Sequence, residues 1–92
     1  MKVRWCAEKE RVLNFRHGIS FRRLIQCRFI CITDHHARAD QWLMLVEREH
    51  YVWVIPFVIG ENEIFLKTFY PSRKYTRLYR EGRFNEEKDR LE

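Results

Sequence analysis

The sequence predicts an α+β domain with an N-terminal strand, two helices, an antiparallel meander sheet of about four strands and a C-terminal helix. Two observations support this class. Apolar residues recur at helical spacing near residues 7–25 and 72–82, whereas β-branched and aromatic residues fill most of the chain between them. We expect the helices to lie on one face of the sheet.

Length and composition limit the number of domains and indicate the kind of partner. The chain has 92 residues, 46% of them apolar, and a formal net charge of +5. We expect a single domain over residues 1–83, followed by a charged, flexible tail over residues 84–92. The positive charge favours an anionic partner such as RNA, DNA or an acidic protein.

We expect neither a signal peptide nor a membrane-spanning segment. Lys2 and Arg4 are not followed by the apolar stretch of a signal peptide. The longest apolar run, residues 51–59, is too short to cross a bilayer. The chain has three cysteines, an odd number that cannot all pair within it, so we expect reduced thiols and a cytoplasmic protein.

Local signals place the first strand and helix. Residues 2–5 alternate as a short strand, and residues 7–16 contain good helix formers. Gly18 supplies the left-handed residue that often ends a helix, whereas Cys6 is a poor N-cap. The residues expected to face inward are Val3, Trp5, Val12 and Leu13.

A second helix and a strand follow. Ser20 is the expected N-cap, and apolar residues at i, i+3 and i+4 give the short helix one buried face. These residues are Phe21, Leu24 and Ile25. Residues 29–32 read as a strand, and the polar residues 34–40 as a loop.

The centre of the sheet is predicted from two further strands. Residues 41–47 and 51–59 are joined by a tight turn near Glu49 and His50. The second strand is apolar on both faces, which places it in the middle of the sheet. Pro56 cannot donate to a ladder, so it requires either a bulge or a side of the strand that is locally unpaired.

The last strand and helix complete the domain. A hairpin turn at residues 60–62 leads to a strand over residues 63–70, which Pro71 ends. Ser72 is placed to cap the final helix and Gly82 to stop it. Its predicted packing face is Tyr75, Leu78 and Tyr79, and its predicted basic face is Arg73, Arg77 and Arg80.

Residues 64–80 contain no acidic residue and mix aromatic rings with cations. Arg73 and Lys74 stand in the first turn of a helix, where positive charge opposes the helix dipole and a bound anion would offset the cost. This combination suits a polyanion with stackable bases, so nucleic acid is the leading partner. The alternative is a basic edge strand with a solvated helix face.

Two segments resemble BrnT-type toxins. Trp5 and residues 8–9, followed by His-Gly-Ile-Ser-Phe at residues 17–21, are similar to the family's opening strand, its Lys-bearing helix and its His-Gly-Val-Ser-Phe. Residues 65–68 and 72–76 are similar to its closing strand and its Ser-Ala-Arg-Lys-Ala-Thr helix start. The resemblance covers roughly residues 1–80.

The resemblance implies a RelE-like fold and a ribonuclease toxin of a type II toxin–antitoxin system. The implied partner is a small antitoxin with a ribbon-helix-helix DNA-binding part, and the complex would bind operator DNA and repress its own operon. Cys6 stands where the family usually has Asp, and the strand around Pro56 and the pair Tyr70-Pro71 are unlike the common members. We therefore expect a divergent member.

RNA cleavage needs a base for the 2′-hydroxyl, cations for the pentacoordinate phosphorus and an acid for the leaving oxygen. The resemblance implies a metal-independent site of Lys, Arg and Tyr. We predict that Arg73 and Arg77 hold the scissile phosphate, since a guanidinium bonds two phosphate oxygens. Lys67 is the predicted general base or second cation, Tyr70 stacks a base or donates to phosphate, and Lys74 follows the RNA backbone. The non-functional alternatives are an exposed strand lysine for Lys67 and a ring partly packed in the core for Tyr70.

His17 is a further candidate for RNA binding, because its position matches the family's His-Gly and its ordinary pKa suits proton transfer. The favoured alternative is a cation that complements the end of a helix. The other histidines, His35, His36 and His50, are expected to be solvated and without a fixed partner. Cys27, Cys31 and His35 are spaced by four, but a strand breaks that register, so we expect no metal and no cofactor.

Two other functions remain open. One is a non-catalytic module of the same fold that binds nucleic acid or a partner. The other is an interaction protein whose strand edge and apolar surface receive a second protein. Intact RNA after prolonged incubation would favour either of these over a ribonuclease, and a short neighbouring reading frame with a ribbon-helix-helix pattern would support the antitoxin.

Overall fold

A computed structural model describes residues 1–84. Within this range the elements are β1 (Lys2–Trp5), α1 (Ala7–His17), α2 (Phe21–Leu24), β2 (Arg28–Asp34), β3 (Trp42–Arg48), β4 (Tyr51–Gly60), β5 (Glu63–Leu66), β6 (Tyr70–Pro71) and α3 (Arg73–Arg80). The predicted α+β class and order of elements are confirmed. From residue 85 onward the predicted charged tail lies outside the described residues.

One sheet joins the strands in the order β1-β5-β4-β3-β2, and β6 pairs with β4 beyond the end of β5. Strands β2 to β5 form the predicted antiparallel meander. The first strand adds a parallel edge, with Lys2 opposite Glu63 and Trp5 opposite Leu66. The strands β3 and β4 meet at a tight turn in which Glu49 and His50 have positive φ.

The strand β4 is buried on both faces, and each face has its own helical cover. Trp53, Ile55 and Phe57 pack with α1 and α2. Val52 and Val54 pack with α3 on the opposite face. The expectation that all helices lie on one face is therefore wrong, because a central strand with two apolar faces needs a layer on each.

The helix α1 buries less of its surface than predicted. Leu13 is buried, but Val12 is 52% exposed and Phe15 is 94% exposed. Adjacent helical residues point about 100° apart, so a helix whose contact is centred on Leu13 turns Val12 away from the core. Val3 on the edge strand is also exposed, contrary to prediction. The helix ends as predicted at Gly18, with φ of 71°.

The predicted strand over residues 63–70 is interrupted. The strand β5 stops at Leu66, the Lys67 amide donates to the Pro56 carbonyl at 2.8 Å, and pairing resumes at Tyr70. Because the nitrogen and carbonyl of one strand residue point the same way, Pro56 faces this gap and no ladder bond is lost. The sequence allowed either a bulge at Pro56 or a side of the strand that is locally unpaired, and the structure has the unpaired side. The gap also turns Phe69 into the core of the α1 and α2 face.

Both ends of α3 follow the sequence signals. The Ser72 hydroxyl accepts from the Tyr75 amide at 3.0 Å. At the other end Gly82 has φ of 69°, and the Arg83 amide donates to the Leu78 carbonyl at 2.8 Å, which is a Schellman ending. Phe84 then stacks on Tyr75 with ring centroids 5.9 Å apart.

Candidate functional site

The basic face of α3 lines a hollow of about 370 Å³. We call it the arginine hollow, and its lining residues are Tyr51, Arg73, Thr76, Arg77, Arg80 and Glu81. The three arginines share one face because they are four and three residues apart in a helix. The predicted basic face is thus confirmed.

Thr76 and Ser72 fix α3 against β4. The Val52 amide donates to the Thr76 hydroxyl at 2.8 Å, and that hydroxyl donates to the Ser72 carbonyl at 2.6 Å. The Ser72 amide donates to the Val52 carbonyl at 2.9 Å. Both main-chain groups of Val52 are therefore paired beyond the end of β6, and the first turn of α3 is held at this edge of the sheet.

The arginines of the hollow differ in their partners. Arg80 donates from Nη2 to the His50 carbonyl at 3.1 Å, which holds its guanidinium at the β3–β4 turn. Within residues 1–84, neither the Arg73 nor the Arg77 guanidinium has a hydrogen-bond or ion-pair partner, and both side chains are exposed. Two forked cations on one face of α3, Arg73 in its first turn and Arg77 in its last, are thus available to an anion.

Lys67 and Tyr70 lie on the face of the sheet that α3 covers. Tyr70 is opposite Val54, which packs with α3. Lys67 Nζ lies 5.5 Å from the centroid of the Phe65 ring, and Phe65 is opposite Val58 on the same face. Lys67 is exposed, and Tyr70 is 41% exposed. Burial raises the pKa of the Tyr70 phenol above its ordinary value of 10.0.

Lys74 and His17 occupy different surroundings from the arginines. Lys74 lies in the first turn of α3 with Nζ 5.6 Å from the centroid of the Tyr75 ring. His17 is on the opposite face of the sheet, where it meets the Trp53 ring edge-on at 5.4 Å and the Phe69 ring at 5.8 Å. It is not among the residues that line the arginine hollow.

Burial, followed by the charge of Arg16, lowers the pKa of His17 below its ordinary value of 6.5. A neutral imidazole contributes no cation to the end of α1, although His17 is the last residue of that helix. The favoured expectation of a cation that complements the helix dipole therefore does not describe this side chain near neutral pH. The ring packs in an aromatic cluster instead.

The remaining histidines have partners that were not predicted. His35 Nδ1 accepts from the amides of Ala37 and Arg38 at 3.1 and 3.2 Å, and so shapes its own loop. His36 Nε2 lies 3.3 Å from the Tyr75 hydroxyl. His50 Nδ1 lies 3.8 Å from a carboxylate oxygen of Glu47. The expectation that all three lack a fixed partner is wrong.

Three residues that line the arginine hollow, Tyr51, Thr76 and Glu81, were not predicted from the sequence. Tyr51 reads as the first residue of a strand, and only the position of α3 makes it part of the hollow. Thr76 is buried, at 3% exposure, within a helix face that reads as basic. The spacing of Ser72 and Thr76, four residues apart at a helix start, is the signal that could have identified the second.

No group of three His, Cys, Asp or Glu side chains within residues 1–84 is arranged to share a metal ion. None of the helices described in this range is both long enough and apolar enough to span a bilayer.

The sheet with helices on both faces defines an α+β fold that is similar to the fold of a bacterial toxin. The fold is similar to that in the 1.1 Å crystal structure of the Brucella abortus ribonuclease toxin BrnT, with a TM-score of 0.52 and 15% sequence identity. The similarity covers 78% of this chain and 96% of that chain. Neither a family model nor a curated protein sequence matches the chain. The chain therefore has a BrnT-like fold, as predicted.

Proposed function

We propose that this protein is the toxin of a type II toxin–antitoxin pair and that it cleaves RNA in the cytoplasm without a metal ion. The observation that carries the proposal is the arginine hollow on a fold shared with a ribonuclease toxin. Two unpaired guanidinium groups on one face of α3 suit the phosphate of a nucleic acid.

Arg73 and Arg77 would hold the scissile phosphate. Each guanidinium can bond two phosphate oxygens, and together they would neutralise the charge that develops when the 2′-hydroxyl attacks the phosphorus. Arg73 also stands in the first turn of α3, where its charge opposes the helix dipole, and a bound phosphate would offset this cost. Lys74, in the same turn, would follow the flanking RNA backbone.

Lys67 and Tyr70 lie on the same face of the sheet but do not line the arginine hollow, and they would complete the site beside it. Lys67 would act as the general base or as a further cation. Because burial raises the pKa of Tyr70, its phenol keeps the proton and can donate to a phosphate oxygen. His17 remains a predicted RNA-binding residue, and its place on the other face of the sheet favours a packing role.

The proposed partner is an antitoxin with a ribbon-helix-helix DNA-binding part, and operator DNA would be bound only through the complex. The net charge of +5 supports an acidic partner segment over the basic surface. Co-expression with any short reading frame that adjoins the gene tests this point. Co-purification of the two chains and loss of RNA cleavage in the complex are expected.

Cleavage of RNA in the presence of EDTA tests the enzyme. We expect wild-type protein to cut single-stranded RNA and the Arg73→Ala/Arg77→Ala variant to lose the activity. The matched control is Arg11→Ala/Arg38→Ala, which removes two exposed arginines outside the hollow and should still cut. Equal cleavage by both double variants would refute the site. Binding of intact RNA by the wild type, without products, would indicate the non-catalytic module.

A further inference from the structure

A second hollow of about 300 Å³ adjoins the arginine hollow. We call it the aromatic hollow, and its lining residues are Arg48, Glu49, Tyr51, Trp53 and Pro71. Tyr51 lines both hollows. The two hollows therefore meet at Tyr51, with Trp53 and Pro71 on one side and the arginines on the other.

The sheet register explains why the two hollows meet at Tyr51. The short strand β6 ends at Pro71, opposite Trp53, whereas β4 extends two residues further back to Tyr51. No described residue of β6 pairs with Tyr51, and the first turn of α3 occupies the adjoining space. On its other side Tyr51 pairs with Arg48 across the β3–β4 turn.

We infer that the aromatic hollow receives a nucleobase of the same RNA strand whose phosphate lies in the arginine hollow, with Tyr51 as the stacking surface. This inference rests on the proposed RNA-binding function and adds a base site to it. Aromatic stacking beside a basic groove is how single-stranded nucleic acids are commonly held. A small anion would need the arginines but not the rings of the aromatic hollow.

The rim of the aromatic hollow supplies polar groups for the edge of a base. Arg48 Nη1 lies 3.4 Å from a carboxylate oxygen of Glu49, whose side chain is 78% exposed. The pair offers a donor and an acceptor, which are the groups that contact base edges. Glu49 and His50 both have positive φ, so the tight turn holds this rim beside Tyr51.

Binding of two uncleavable strands tests the inference. One probe is a short 2′-O-methyl oligonucleotide, which lacks the attacking hydroxyl, and the other is a strand of equal length and charge without bases. Fluorescence anisotropy gives both dissociation constants. We expect wild-type protein to bind the base-containing strand about tenfold or more tightly than the abasic strand.

Variants at Tyr51 locate that preference. Tyr51→Ala should remove most of it, whereas Tyr51→Phe, which keeps the ring, should retain it. Phe15→Ala is the matched control, because it removes an aromatic ring that is 94% exposed on α1. Circular dichroism and urea unfolding establish that each variant is folded. A full preference in folded Tyr51→Ala would overturn the base site.

The wild-type comparison tests the inference even if Tyr51→Ala does not fold. Equal affinity of wild-type protein for the two strands would overturn the base site and leave phosphate binding intact. A retained base preference without RNA cleavage would support the base site and overturn the ribonuclease. Binding of neither strand would overturn both proposals.

Discussion

The Thr76 hydroxyl accepts the amide proton of Val52 at 2.8 Å and joins the helix that carries the arginines to the central strand. Both residues are buried, so water cannot replace the bond. The same hydroxyl donates to the Ser72 carbonyl, which ties the cap of α3 to the same point. The position of the arginine hollow therefore depends on a hydroxyl group that lies beneath it.

Thr76→Val should destabilise the protein. Valine has a similar shape but leaves the buried Val52 amide without an acceptor, and such a group costs about 1–3 kcal/mol. Urea unfolding should show this decrease in the free energy of unfolding. Thr76→Ser keeps the hydroxyl and should lose less. A Val variant as stable as the Ser variant would contradict the assigned role of the bond.

Arg77→Lys separates charge from geometry. Lysine keeps the positive charge but cannot make the forked contact, so cleavage should fall while the salt dependence of RNA binding stays unchanged. Arg77→Ala should lower both, with the slope of log affinity against log salt reduced by about 0.7 for a single-stranded substrate. Arg11→Lys is the control. An Arg77→Ala slope equal to that of wild type would show that Arg77 does not contact phosphate.

Lys67→Ala should lower the rate of RNA cleavage by about tenfold or more, because a positioned acid–base group or cation is typically worth at least this factor. The ammonium lies over the Phe65 ring, an arrangement suited to a cation. We therefore expect Lys67→Arg to recover most of the rate. Failure of Lys67→Arg together with a changed pH–rate profile would assign Lys67 as the general base instead.

Tyr70→Phe tests whether the phenol donates to the phosphate. The variant keeps the ring and removes the hydroxyl, so cleavage should fall by about tenfold, the effect of one hydrogen bond to a charged group, while RNA affinity changes little. Tyr70→Ala should lower affinity as well. Single-turnover kinetics separates the two effects. Unchanged cleavage by Tyr70→Phe would leave stacking or packing as the role of Tyr70.

The lowered pKa of His17 predicts a pH-dependent stability. In the unfolded chain His17 takes up a proton near pH 6.5, whereas in the folded protein it does so only at a lower pH. The stability that the neutral imidazole contributes is therefore present above pH 6.5 and is lost as the pH falls through the folded pKa. Wild-type protein should therefore lose more stability between about pH 7.5 and pH 5.5 than His17→Gln. Urea unfolding at both values measures the difference. Equal losses would assign the pH dependence to other groups.

Much of the local structure is predictable because it depends on neighbours in the sequence. Gly18 and Gly82 adopt the left-handed conformation that ends a helix, and Ser20 and Ser72 cap the helices that follow them. Each of these features involves residues within one turn. The two apolar faces of β4 were likewise evident from alternation alone, and both are buried.

Predictions that depend on contacts between segments far apart in the chain were less accurate. The parallel partner of β1, the exposure of Val12 and the break before Tyr70 are decided by segments far away in the chain. The same is true of the helical layer on each face of the sheet. The local spacing of these residues does not predict which of their surfaces another segment will cover.

The sequence by itself determined which basic residues could bind an anion on the last helix, because capping and helical spacing depend only on residues close together in the chain. Only the tertiary structure decided what stands beside that site. The end of β6 at Pro71 leaves Tyr51 next to α3, and the bond between Thr76 and Val52 holds the helix there. Both features arise from contacts between residues far apart in the chain, where burial of shared apolar surface rather than local preference selects the arrangement.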